Sequence, residues 1–203
     1  MNRVVLFIAT LSFLAASCLK DRIAPPVGPY VPPNGDTLMY YWNFNGADSS
    51  KRNADFGVHS GAFFKYYCGY IDYTAGSVLN LVGTTDSGQC LRLRNPSDSV
   101  IFHMPTTGYD SVSIAFAIQA SSNGANSNAI SYTVDGVHYI STALSSNTYS
   151  VTTLFTLKTF GFSGDAAVNN NPLFAVKIVQ LNNNTGTSGN NRIDNLTLHG
   201  VRK

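Results

Sequence analysis

Residues Phe63-Phe64-Lys65-Tyr66-Tyr67-Cys68-Gly69-Tyr70-Ile71-Asp72-Tyr73 carry six aromatic rings in eleven positions. That density exceeds what one buried face of a strand can absorb. Tyrosine buries a large apolar ring yet keeps a polar hydroxyl, a combination common at recognition surfaces. Sugars offer apolar C–H faces to such rings, and neighbouring Asn or Asp side chains can bond their hydroxyls. Tyr66, Tyr67, Tyr70 and Tyr73 are therefore the candidate ligand-binding residues. Tyr41 joins them, because its parity is opposite to that of the core-facing neighbours of Trp42. The competing reading is a loop folded over the domain, filling gaps with rings and pinned by Cys68.

Catalytic chemistry has little to stand on. The four histidines, His59, His103, His138 and His199, lack a zinc-type spacing. Gly161-Phe162-Ser163-Gly164 is one residue short of a nucleophile elbow. All eleven acidic residues are Asp, and nothing singles out the facing pair a glycosidase needs. The expectation is a chain without enzyme activity; a hydrolase with an unrecognised site is the weakest alternative. The formal net charge is only +2 and no basic patch stands out, which argues against nucleic acid as a partner.

The N-terminus says where such a domain works. A short polar, basic start, Asn2-Arg3, precedes an apolar run that closes on Leu14-Ala15-Ala16-Ser17-Cys18. The run is shorter than the ~20 residues that span a bilayer and reads as a signal peptide. Its end resembles a lipobox, where small residues admit the peptidase and a cysteine takes the lipid. Residues 1–17 are expected to be removed and Cys18 lipidated. The protein is then expected in the cell envelope, on the outer membrane, held to the membrane through this lipid only. Residues 18–36 contain five of the eight prolines and read as a semi-rigid tether reaching up to ~55 Å. Cys68 and Cys90 remain; in an oxidising compartment they could form a disulfide worth ~3 kcal/mol, or stay as buried free thiols.

Residues 37–203 must supply the scaffold. Asn, Ser, Thr, Gly and Tyr are abundant and Glu is absent, which disfavours helix. Leu38, Tyr40, Trp42 and Phe44 alternate, as do Val112, Ile114, Phe116 and Ile118; each period of two predicts a half-buried strand. Further strands are predicted at Val78–Val82, Cys90–Arg94, Val100–Met104, Tyr149–Leu157, Pro172–Leu181 and Arg192–Val201. Asp135-Gly136 between Ile130–Val134 and Val137–Ile140 predicts a hairpin. The fold class is all-β, an antiparallel β-sandwich of jelly-roll type.

Gly88–Arg94, Thr106–Tyr109, Ser131–Gly136 and Asn191–Leu198 together resemble the galactose-binding-domain-like jelly rolls, which include carbohydrate-binding modules. Asp194 shares strand parity with the core-facing Leu196 and Leu198. A carboxylate there must be paired, hydrogen-bonded or metal-bound. The resemblance implies a structural Ca2+ at Asp194, with Asn45 and Asp48 as further oxygen donors; the alternative is that Asp194 caps backbone N–H groups. The resemblance also implies non-catalytic binding of an extracellular glycan. A structural or adhesion subunit that binds another envelope protein is the alternative.

Overall fold

A computed structural model describes residues 35–203, apart from 47, 49, 84, 85, 182–187 and the side chain of Ser97. Cys18, the signal segment and most of the proline-rich tether lie outside the described residues. Twelve strands are described: β1 Thr37–Trp42, β2 Phe56–Gly57, β3 Phe63–Cys68, β4 Ile71–Ala75, β5 Gln89–Arg94, β6 Ser97–His103, β7 Tyr109–Ala120, β8 Ser127–Thr133, β9 Thr148–Ser150, β10 Thr156–Gly161, β11 Ala175–Leu181 and β12 Asn190–Arg202. Among the described residues the helical content is 3-10 turn alone, chiefly Ala166–Val168.

The strands form two antiparallel sheets, a jelly-roll β-sandwich. One has the order β3-β6-β11-β8-β9. The other runs β10-β7-β12, after which the long β12 serves two neighbours. Its first residues pair with β5, which in turn pairs with β4; its last pair with β1, which pairs with β2. The alternation read along residues 111–119 holds: Val112, Ile114, Phe116 and Ile118 all lie in the core. Tyr40, Trp42 and Phe44 do too, but Leu38 does not: a register irregularity between Leu38 and Tyr40 puts Met39 in the core instead. Trp42 meets Phe102 of the opposite sheet edge-on, ring centroids 5.4 Å apart, so the sheets interlock through rings.

Three expected elements differ. Residues 78–82 are loop rather than strand, and they fold over the outer face of the seven-stranded sheet. Asn80 Nδ2 fixes them by donating to Ala115 O, Asn195 O and Thr197 Oγ1. The expected strand at 149–157 is split between β9 and β10, which belong to different sheets. The hairpin at Asp135-Gly136 forms, but its return limb makes a single bridge, Tyr132 to Ile140.

Candidate functional site

On β3, Phe64 and Tyr66 point inward, and Phe63, Lys65 and Tyr67 point outward. The register carries that outward face across the five-stranded sheet. Phe63 aligns with His103, Ala175 and Thr133; Lys65 with Ile101, Lys177 and Ser131; Tyr67 with Ser99, Val179 and Ala129. The floor is tightly packed: Ile101 is 8% exposed, and Ala175 and Ser99 are fully buried although none belongs to the sandwich core. The Phe63 and His103 rings stack at 4.4 Å.

Tyr139 closes the far side. Its neighbour Ile140 bridges Tyr132 and packs on the core, so Tyr139 takes the opposite, outward direction. The Lys177 ammonium lies 5.7 Å from the centre of its ring. The Tyr139 hydroxyl is pushed above the ordinary phenol range, first by burial and then by the Tyr67 phenol. Tyr67 itself is 52% exposed. Tyr67 and Tyr139 thus stand on the same outer face, Tyr67 in the row of Ser99 and Val179 and Tyr139 against Lys177 in the row of Ile101. Beside Tyr67 a shallow groove runs along the β3 edge, lined by Arg52, Phe63, Lys65 and Tyr66 among others. The Arg52 guanidinium stacks 4.3 Å from the Tyr66 ring centre and donates to its hydroxyl at 3.3 Å.

The five expected tyrosines do not form one surface. Tyr67 lies on the face just described. Tyr66 is half-buried on the other side of the same strand and borders the edge groove. Tyr70, 55% exposed, sits in the turn from β3 to β4. The Arg94 guanidinium lies over its ring, and Arg94 and Arg92 both bind the Asp72 carboxylate. Tyr73 is half-buried in the seven-stranded sheet and donates to Asp48 O at 3.1 Å. Tyr41 requires correction: it is 5% exposed, because the loop over residues 76–83 covers its side of the sheet. Its hydroxyl donates to Asn195 Oδ1 at 2.6 Å. Tyr139, Lys177 and Lys65 were not singled out from the sequence. The signal for Tyr139 was present, since the Asp135-Gly136 hairpin gives it outward parity.

The disulfide also requires correction. Cys68 and Cys90 are both free thiols. Cys68 ends β3 in one sheet and Cys90 lies in β5 of the other, and each donates to a nearby carbonyl, Tyr70 O and Ala75 O, at 3.3 Å. Burial pushes the Cys68 thiol up to about 11 and the Cys90 thiol to about 12, which keeps both protonated and unreactive.

Asp194 is fully buried, but it does not face the core. Asn195 adopts a left-handed backbone (φ 47°) at a bulge in β12. The bulge resets parity, so that Ile193 and Leu196 point inward and Asp194 points toward the covering loop. Its oxygens accept from Ser77 N at 2.6 Å and Asn195 N at 2.9 Å. Burial raises its carboxyl to about 7. Asn45 accepts from Gln89 N at 2.6 Å, at the other end of the same loop closure, where Gly76 N donates to Gly88 O. Side chains cannot be added here: a Cβ on Gly76 would lie 2.6 Å from Asp194 Oδ2, and one on Gly88 1.9 Å from Asn45 Oδ1. Asp48 stands apart at the surface, where it accepts from Ser50. Among the described residues, no three His, Cys, Asp or Glu side chains gather around a common metal position. Asp194 and Asn45 thus fit a hard-cation oxygen set in part, and Asp48 does not join them.

No sequence family and no curated protein matches this chain. Solved structures do. The tandem CBM22 modules of Xyn10C from Paenibacillus barcinonensis superpose with a TM-score of 0.51 at 10% identity, over 86% of this chain and 48% of that one. Domain 4 of AbnA, an extracellular GH43 arabinanase from Geobacillus stearothermophilus, superposes with a TM-score of 0.51 at 12% identity. That match covers 83% of this chain and 94% of the other, whose structure holds arabinotriose. The likeness is one of fold: the β-sandwich described above is shared with these two domains.

Proposed function

We propose that this domain binds an extracellular glycan without catalysis, displayed from the cell envelope by lipid on Cys18. The observation that carries the reading is that Tyr67 and Tyr139 both stand on the outer face of the five-stranded sheet, Tyr67 52% exposed and Tyr139 against the Lys177 ammonium. A sugar ring seated there presents its C–H face to a phenol and its hydroxyls to Ser131 and the lysine ammoniums. The arabinotriose held by the AbnA domain supports this use of the fold. Structural Ca2+ belongs to the same proposal, held by Asp194 and Asn45 at the closure of the covering loop, where it would supply the positive charge that the buried carboxylate lacks.

The test is affinity electrophoresis of the Cys18→Ala protein in gels containing neutral and acidic polysaccharides. Retention by at least one polysaccharide is expected. Tyr67→Ala and Tyr139→Ala should each weaken it about tenfold, in line with about 1–3 kcal/mol for an aromatic stacking contact, and leave the melting temperature within 2–3 °C or so of the parent. Undiminished retention in both variants would overturn the placement of the site.

A further inference from the structure

We infer that the glycan recognised on this face is anionic, bearing carboxylate or sulfate groups. The inference rests on the binding face proposed above and adds the chemical class of its ligand.

Lys51, Arg92, Arg94 and Lys203 each meet an Asp carboxylate. Among the described residues the three cations around the proposed site do not, and neither do Lys158, Arg192 and Arg202; what sets Arg52, Lys65 and Lys177 apart is that they gather on one side of the five-stranded sheet. They lie instead against rings: Arg52 on Tyr66 at 4.3 Å, Lys65 on Phe63 at 5.5 Å and Lys177 on Tyr139 at 5.7 Å. A cation over a ring keeps its charge and its outward N–H donors available, whereas one paired with a carboxylate does not.

Placement makes the three a set. Lys65 and Lys177 share a row of the sheet with Ile101 between them, which separates their backbones by two strand spacings, about 9.5 Å. Arg52 and Lys65 line the same groove along the β3 edge. The row of Lys65 and Lys177 carries no acid, and the outward register positions of β3, β6, β8 and β11 whose side chains are described are neutral or basic; one carboxylate borders the face, Asp98, which accepts from Ser99 Oγ at 3.3 Å at the Tyr67 end. The Asp135 carboxylate in the neighbouring hairpin is taken up by His138 Nδ1 at 2.7 Å and by the Val137 and His138 N–H groups. The chain is nearly neutral as a whole, at +2, so this is a local concentration of charge. Over a low-dielectric apolar floor such a cluster selects anions.

Matched polysaccharides isolate the charge. The Cys18→Ala protein is run in gels containing alginate, polygalacturonate or chondroitin sulfate, and beside each its neutralised counterpart, carboxyl-reduced or desulfated. The expected result is retention by at least one acidic chain, weakened about tenfold or more by neutralisation, by Lys65→Gln with Lys177→Gln, and by raising the salt from 50 to 500 mM. The carboxyl-reduced and desulfated arms identify which anion is read. Equal retention by the neutralised chain, unaffected by the lysine substitutions, would overturn the anionic inference and leave the glycan reading standing. Retention by none of the acidic chains, with binding to a neutral one, would do the same. Absence of retention on every polysaccharide would overturn both. The lysines are solvent-facing, and a melt of the double variant matching the parent confirms that lost retention is not lost folding.

Discussion

The Tyr41 hydroxyl donates to Asn195 Oδ1 at 2.6 Å beneath the covering loop, while Tyr67 stands 52% exposed over the other sheet. The same side chain therefore has a measurable effect of opposite kind at the two positions. Tyr41→Phe leaves Asn195 Oδ1 without that donor in a buried setting, which costs about 1–3 kcal/mol. At about 2–4 °C per kcal/mol for a domain of this size, the melting temperature should fall by several degrees, with polysaccharide retention unchanged. A variant that melts like the parent would show that the buried bond contributes nothing. The sequence made half of this legible. Alternation over residues 38–44 correctly turns Trp42 inward and Tyr41 outward. It could not show that the outward side is roofed, because the roof comes from residues 76–83, joined to Asn195 by long-range polar bonds. Tyr66 and Tyr67 show the same limit: their neighbouring positions guarantee opposite faces, but only the register with β6 and β11 shows which face carries the cations.

The covering loop is an element in its own right, closed at one end by Asp194 on Ser77 N and at the other by Asn45 on Gln89 N. Asn195 Nδ2 holds its middle, donating to Ser77 O at 2.7 Å and Leu79 O at 3.0 Å. Replacing Asp194 by Ala strands two buried N–H groups, at about 1–3 kcal/mol each, and should lower the melting temperature by several degrees. If calcium sits at this closure, chelator lowers the melting temperature of the parent and added Ca2+ restores it, while Asp194→Ala no longer responds to either. A parent melt indifferent to chelator would assign Asp194 to backbone capping alone. This element was the least readable one. Residues 78–82 have the apolar content of a strand, and nothing local marks them as a cover. The bulge at Asn195 was equally hidden: strict alternation from Leu196 and Leu198 points Asp194 at the core, and one left-handed residue reverses that. By contrast β7 has its left-handed residue, Ser111 (φ 51°), ahead of the alternating stretch, and from Val112 onward its alternation translated directly into buried positions.

At the scale of the molecule, the two sheets are joined by packing rather than by a covalent link. Trp42 against Phe102 and Phe44 against Phe64 span the sandwich, the latter at 6.0 Å between ring centres. Phe162 adds a third contact, meeting Tyr132 at 5.2 Å and Phe174 at 5.1 Å. A domain of this length buries enough apolar surface to stand on such contacts. The free thiols are then passengers in stability terms, and this can be measured. A bridge between Cys68 and Cys90 would contribute about 3 kcal/mol, so its reduction would lower the melting temperature by about 6 °C or more. The structure predicts no such drop: the Cys18→Ala protein should melt at the same temperature with and without reductant. Thiol titration of the same protein, purified without reductant, should find both cysteines slow to react while folded, since burial holds them protonated, and both reactive once unfolded. A reductant-dependent fall of that size, with no thiol released on unfolding of the oxidised protein, would restore the bridge and require β3 and β5 to approach more closely than the present packing allows. The same melts would then separate what joins the sheets from what shapes the binding face, because Tyr67 and Tyr139 lie outside the core that holds the sheets together.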